Sequence, residues 1–284
     1  MVQSMTGFGK EEALLEDKRV NVEIRTLNNK GFDLSLRTPV FLNSLELDIR
    51  KLVSRYLIRG KIDCSIWIDD WVGAALKINE KVVREYLRQL HALPHNDTTA
   101  MLSIAMRLPE SLSSDKEELP QEDVTAIVTA VEKTLQKVQN HRAEEGKQMA
   151  HDFTMRLELL EKLMVQVQIK APERVQKVEE KLQLAFQKAT VKVDSERFEQ
   201  ELIYYLEKTD ITEECVRIAN HLQYFKEVME KETPNGKKLG FIAQEIGREI
   251  NTIGSKANHT EIQKTVVQMK DELEKIREQL MNVL

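Results

Sequence analysis

Glu245 and Glu249 lie one helical turn apart in KKLGFIAQEIGREINTIGSKAN, residues 237 to 258, among amides, hydroxyls and cations. Residues three and four apart share a face of a helix. Ile242, Ile246, Ile250 and Ile253 recur at that spacing and are expected to face a core, leaving Glu245, Glu249 and Thr252 along one flank. Glu249 falls closest to the apolar edge. A carboxylate there must be paired, metal-bound or raised in pKa, because an isolated buried charge is too costly. The same spacing also fits an amphipathic helix whose flank is merely solvated.

DITEECVRIANHLQYF, residues 210 to 225, has the same construction, so the two helices are expected to face each other. Ile211, Cys215, Ile218, Leu222 and Phe225 form its buried stripe, and Asp210, Glu214, Arg217 and His221 run down its flank. Glu213 points further away. Asp210 followed by Glu213 has the form of a capping box, which would make both residues helix starters rather than chemistry. Capping explains nothing about Glu214 or His221.

The two segments closely resemble the C-terminal signature of the YicC-like (YicC/YloC) bacterial endoribonucleases, REINTIGSKAN at 248 to 258 above all. The resemblance spans nearly the whole chain in the expected order: SMTGFG at 4 to 9, RTLNNKGFDLSLRTP at 25 to 39, RGKID at 59 to 63 and RAEEGKQMAHDFTMRL at 142 to 157. Two positions depart from the family pattern: Gly240 stands where an acidic residue is usual, and Gly247 where an Asn is usual. The resemblance implies metal-dependent internal cleavage of structured or small RNA in bacterial RNA turnover. It also implies a homo-oligomer, a hexameric ring or cage enclosing RNA, with other RNA-decay enzymes as further partners.

Chemistry can be assigned on that footing. Mn²⁺ or Mg²⁺ prefers carboxylate, carbonyl and water oxygens, and imidazole is acceptable to Mn²⁺, so Glu214, His221, Glu245 and Glu249 are the candidate metal ligands. His221, Glu245, Glu249, Arg217 and Arg248 are the candidate catalytic set, His221 to ligate or to move a proton and the arginines, with Lys256, to neutralise developing phosphate charge. Asn251, Thr252 and Ser255 offer hydrogen bonds to a phosphate or a 2′-hydroxyl.

Composition bounds the setting. The chain has 284 residues, enough for more than one structural unit, and no apolar run long enough for a membrane span or a signal peptide, so a cytoplasmic protein is expected. Cys64 and Cys215 lack metal-ligand spacing and are expected to be small core residues. The net charge of −5 repels phosphate on average, but the excess acid lies in the middle. Residues 1 to 72 carry 11 Lys/Arg against 11 Asp/Glu, residues 236 to 284 carry 8 against 7, and the stretch between carries 23 against 29.

The elements that must hold these groups follow from periodicity, and the class is α+β. Residues 1–93 read as a small α+β domain. Val20, Val22 and Ile24, then Phe32, Leu34 and Leu36, alternate with polar residues, with Asn28, Asn29 and Gly31 at the turn between them. A helix over 41–57 turns Phe41, Leu45, Ile49, Leu52 and Val53 inward, and a strand with Ile62, Cys64, Ile66 and Ile68 follows. Outward faces present Arg25, Lys30, Arg37, Arg50, Lys51, Arg55, Arg59 and Lys61, of which Arg25, Lys30, Arg37, Arg59 and Lys61 join Asn251, Ser255 and Lys256 as the candidate RNA-binding residues. A helix over 79–93 precedes a linker over 94–120 with a short helix near 99–107.

Residues 121–192 read as a long, coiled-coil-like helical section that Pro172 interrupts, with a further helix running to about Lys192. His141, Arg142, Glu144, Glu145, His151 and Asp152 within it are expected on a solvated face. Residues 193–284 form a helical C-terminal domain carrying the site. Its last helix sets Ile262, Val266, Met269, Leu273, Ile276, Leu280 and Val283 in steps of four and three, a coiled-coil seam that packs on helix 211–231, packs on the central helices, or joins subunits. A non-catalytic RNA-binding or adaptor protein, in which the polar flanks are interhelical salt bridges, is the competing class, and a purely structural oligomer is a third. No Walker loop, dinucleotide fingerprint or nucleophile elbow is present.

Overall fold

The computed structural model describes residues 2–15, 19–69, 77–93, 97–113, 120–188, 195–231 and 234–284. Alternating burial makes the first layer. Strands β1 (Gly7–Leu14), β2 (Arg19–Leu27), β3 (Phe32–Arg37) and β4 (Gly60–Asp69) form one sheet in the order β1-β2-β4-β3. Val20, Val22, Ile24, Ile62, Cys64 and Ile66 turn to the core as expected, while the side chains of Phe41 and Ile68 lie outside the described residues. The turn at Asn28–Gly31 does not make a hairpin. β4 inserts between β2 and β3 and pairs with β3 in parallel, after a crossover through a 3₁₀ turn (Val40–Leu45) and helix α1 (Glu46–Tyr56).

Past the sheet, β5 (Lys77–Ile78), α2 (Glu80–His91), α3 (Thr98–Ala105) and β6 (Leu112–Ser113) follow, the two short strands pairing antiparallel. The Asn79 and Asp97 side chains accept from the first amides of α2 and α3. The stretch read as linker thus carries α3 and a strand that returns to β5.

Helix α4 (Gln121–Lys188) is the axis of the molecule. It runs through Pro172, which was expected to interrupt it. Pro172 sits on an exposed flank, where water can serve the carbonyl that the missing N–H leaves over. Two cores share this helix. Ile127, Ala130, Val131, Leu135 and Val138 pack on the sheet, and Gly9 lets the backbones meet, since a Cβ there would stand 2.5 Å from the Thr134 carbonyl. Phe153, Leu157, Leu160, Leu163, Met164 and Val167 belong to a second core built with α6 (Thr212–Glu230), α7 (Gly236–Lys256) and α8 (Thr260–Leu280). Phe153 meets Phe225 edge-on at 5.9 Å. The short helix α5 (Ser195–Thr209) precedes α6. The continuation of a helix to Lys192 lies outside the described residues.

The heptad seam of α8 is consumed within one chain. All seven of its apolar residues are buried, with the helix packed on α4 and α7. Sequence left open whether this seam joins subunits; in the fold it fills the bundle core instead.

Between the two cores the ends of the chain cross. Ser4 bridges Val283, the Met5 amide donates to the Asn282 carbonyl, and the Leu284 amide donates to the Gln3 carbonyl. The Leu284 carbonyl in turn accepts from the amides of Asn235 and Gly236, where α7 begins. Asn28 donates to the Met281 carbonyl at 2.6 Å. Gly146 of α4 allows the Val2 backbone to lie directly on it, with no room for a Cβ. Arg142 is therefore not on a solvated face. It is 3% exposed, donates to the Met5 and Arg59 carbonyls and the Thr26 hydroxyl, and burial pulls its pKa down to about 10.

Candidate functional site

Helices α6 and α7 run antiparallel, and three contacts fix their register. The Lys238 ammonium lies 5.0 Å from the Tyr224 ring, Arg217 reaches Glu249 at 3.7 Å, and Lys256 reaches Glu214 at 2.7 Å. Lys238, Glu245, Glu249 and Lys256 fall on one line of α7, and Glu214, Arg217, His221 and Tyr224 on one side of α6. The facing of the two flanks is as the spacing predicts. The four isoleucines of α7 are buried beneath it.

Burial orders the carboxylates differently from the sequence. Glu214, not Glu249, is the deepest, its side chain 4% exposed against 12% for Glu249. Its Oε1 accepts from Lys256, and its Oε2 is buried with no hydrogen-bond partner. An unmatched oxygen of this kind in low dielectric is costly, and Lys256 is the charge that offsets it. Asp210 Oδ1 accepts from the Thr212 amide and hydroxyl, which, with the nearby Lys256, holds its carboxyl below the usual range. The capping box is half made: Glu213 bonds Arg217 one turn on instead of reaching back. Burial and the neighbouring Glu214 and Asp210 push Cys215 up to about 11, as befits a core thiol.

Glu245 sits partly exposed and paired with Arg248 at 2.8 Å. His221 lies between Arg217 and Tyr224 on α6, hence opposite the α7 turn that carries Glu245, and has no hydrogen-bond or ion-pair partner among the described residues. Asn251 is exposed, while the Thr252 and Ser255 hydroxyls bond back to carbonyls of their own helix. The four proposed ligands do not gather for a cation. Among the described residues no three His, Cys, Asp or Glu side chains group as a metal site needs, and each carboxylate of the four is held by a Lys or Arg. As placed within one chain, these residues do not fit a resident Mn²⁺ or Mg²⁺.

The remaining RNA-binding candidates are elsewhere. Arg25, Arg37 and Lys61 stand on the sheet face turned away from α4, interleaved with Glu23, Asp33 and Asp63. Arg25 pairs with Glu23 at 2.6 Å and covers the Phe8 ring. Lys30 is exposed at the turn, and Arg59 donates to the Asn29 carbonyl at 3.0 Å. Sequence reasoning missed the Glu214–Lys256 pair, since the partners lie on different helices. It also passed over α5, where Tyr204, Tyr205 and Lys208 were the visible signal.

The departures at Gly240 and Gly247 have different surroundings. A Cβ on Gly240 meets nothing, so an acidic residue would fit there. At Gly247 it would run into the Arg277 guanidinium and Leu273.

Comparison with known proteins places this geometry in a family. Residues 2–151 match the model described as "Endoribonuclease YicC-like, N-terminal region", and residues 167–284 match "Endoribonuclease YicC-like, C-terminal". "Probable endoribonuclease YicC" of Clostridioides difficile (strain 630) is 33% identical over 293 aligned residues, covering all of both chains. The protein of the same description from Haemophilus influenzae is 27% identical over 290, again end to end. With both halves matched in order, the chain belongs to the YicC-like endoribonuclease family.

Proposed function

We propose that this chain is a cytoplasmic endoribonuclease that cuts RNA internally, with the facing flanks of α6 and α7 as its reaction surface. The observation that carries the reading is the pairing of cations with sunken carboxylates across the two helices, Lys256 on Glu214 and Arg217 on Glu249. Such a carboxylate fixes its cation in place, so that the ammonium or guanidinium stands ready where phosphate charge develops. Arg248 adds a third cation on the same flank. His221, partly exposed and without a hydrogen-bond or ion-pair partner among the described residues, is the group to take a proton from the attacking hydroxyl or give one to the leaving oxygen. Dependence on Mn²⁺ or Mg²⁺ belongs to the proposal as an ion carried on the RNA phosphates, because Mg²⁺-type ions keep several waters and need only one or two carboxylates. Homo-oligomerisation, with a hexamer as the family resemblance implies, and association with other RNA-decay enzymes are likewise proposed.

One observation favours the second reading, a non-catalytic RNA-binding or adaptor protein: Glu214, Glu245 and Glu249 are all engaged in ion pairs. A single experiment separates the two. Purified protein is stripped with chelator and incubated with end-labelled structured RNA, with and without added Mn²⁺ or Mg²⁺. Internal fragments that need the ion support the endoribonuclease, and binding without cleavage under every condition assigns the adaptor role. A 2′-deoxy substitution at the cut position then distinguishes attack by the 2′-hydroxyl, which it blocks, from attack by water.

A further inference from the structure

A cavity of about 700 Å³ opens between the end of α5 and the turn from α7 into α8, lined among others by Tyr204, Tyr205, Lys208, Lys256, Asn258 and Gln263. Lys256 is shared with the flank described above, so the cavity continues that surface. Its two aromatic rings are an odd feature for an outer wall. Tyr204 is 61% exposed, and its ring is approached by the Lys208 ammonium at 6.0 Å.

The polar lining is already oriented. The Gln263 amide nitrogen donates to the Gly254 carbonyl at 2.5 Å and the Ala257 carbonyl at 2.7 Å. Only the nitrogen can face two carbonyls, so this assignment of the amide is forced, and both of its protons are spent. The side-chain oxygen is left as a fixed acceptor without a partner among the described residues. Lys208 supplies positive charge beside the Tyr204 ring, Lys256 lines the same cavity while paired with Glu214, the exposed Glu201 also lines it, and Asn258 offers both donor and acceptor.

We propose that this cavity binds one unstacked nucleobase of an RNA strand whose phosphates run along the α6–α7 flank, an inference that rests on the endoribonuclease reading. Flat rings with neighbouring cations and a polar edge are what proteins use to hold splayed single-stranded bases. The volume falls in the range of small-ligand pockets. The fixed Gln263 oxygen prefers a base that presents an exocyclic amino group, so cytosine, with its N4 amine, is favoured over uracil, with its O4 carbonyl.

The test uses the full chain and short fluorescein-labelled oligocytidine and oligouridine strands, read by fluorescence anisotropy in Mn²⁺ and in chelator. The parent binds oligocytidine about threefold or more tighter than oligouridine. Tyr204→Ala weakens single-strand binding by about tenfold, Tyr204→Phe retains it, and a blunt RNA duplex binds parent and Tyr204→Ala alike. Equal loss for duplex and single strand, or no loss in Tyr204→Ala while the parent still cleaves RNA, overturns the base pocket and leaves the nuclease standing. A parent that neither binds nor cleaves RNA overturns both. Tyr204 is exposed, so its truncation is expected to leave the helical circular dichroism unchanged, and Lys208→Ala, also at the surface, repeats the measurement with a several-fold loss expected.

Discussion

The sheet face and the α6–α7 flank both set cations beside acids, yet they do so in opposite ways. On the sheet, Arg25 and Glu23, or Arg19 and Glu12, pair at the surface, where water screens them and either partner can leave. On the helices, Glu214 and Glu249 are sunk against the isoleucine stripe and their cations cannot leave without stranding a charge. Net charge alone would rank the two surfaces alike. Depth distinguishes them: on the proposed endoribonuclease reading, the first gathers RNA loosely and the second holds one phosphodiester in a fixed place.

Mutations can break this contrast at graded strength. The largest effect is expected at His221→Ala, which should slow cleavage by about 10²–10⁴-fold in a gel assay with folding intact, whereas Arg37→Ala and Lys61→Ala leave the cleavage step untouched. Equal losses at both places would erase the distinction. Next comes Lys256→Ala, which strands Glu214. Its half-open geometry places the loss at about 2–3 kcal/mol by urea denaturation, and adding Glu214→Gln should return most of it. On the sheet, Arg37→Ala and Lys61→Ala should each lower RNA affinity a few-fold and flatten its salt dependence by about one ion, independently of sequence. Smallest is the acid response of Asp210. Its pKa is lowered in the fold, so its contribution is full above the unfolded carboxylate pKa and is lost as pH falls through the folded value. Asp210→Asn should therefore lower stability slightly near neutrality and flatten the profile below about pH 4, so that parent and variant converge in acid.

Periodicity made much of the fold legible. Val20, Val22 and Ile24 announced a half-buried strand, and the isoleucines of α7 and the seam of α8 announced buried stripes, because burial of one face is a local property of sequence. The insertion of β4 beside β3 was not legible, since strand order depends on a crossover and not on any alternation. Pro172 misled because its cost depends on whether water reaches the freed carbonyl. Arg142 misled because its partners are carbonyls from Met5 and Arg59, which no side-chain pattern encodes. At the site, spacing found both flanks and their facing, but the rank of burial was set by Lys256, which lies 42 residues from Glu214 in sequence.

The clasp of residues 2–5 with 281–284 has a consequence in time. The Gln3–Leu284 bond spans nearly the whole sequence, so it carries a large loop-closure entropy and folding reaches it after the local helices have formed. The first amides of α7 rest on the Leu284 carbonyl, so the helix bearing Glu245 and Glu249 is fully seated only when the two ends meet. During synthesis, residue 284 leaves the ribosome after everything it fastens.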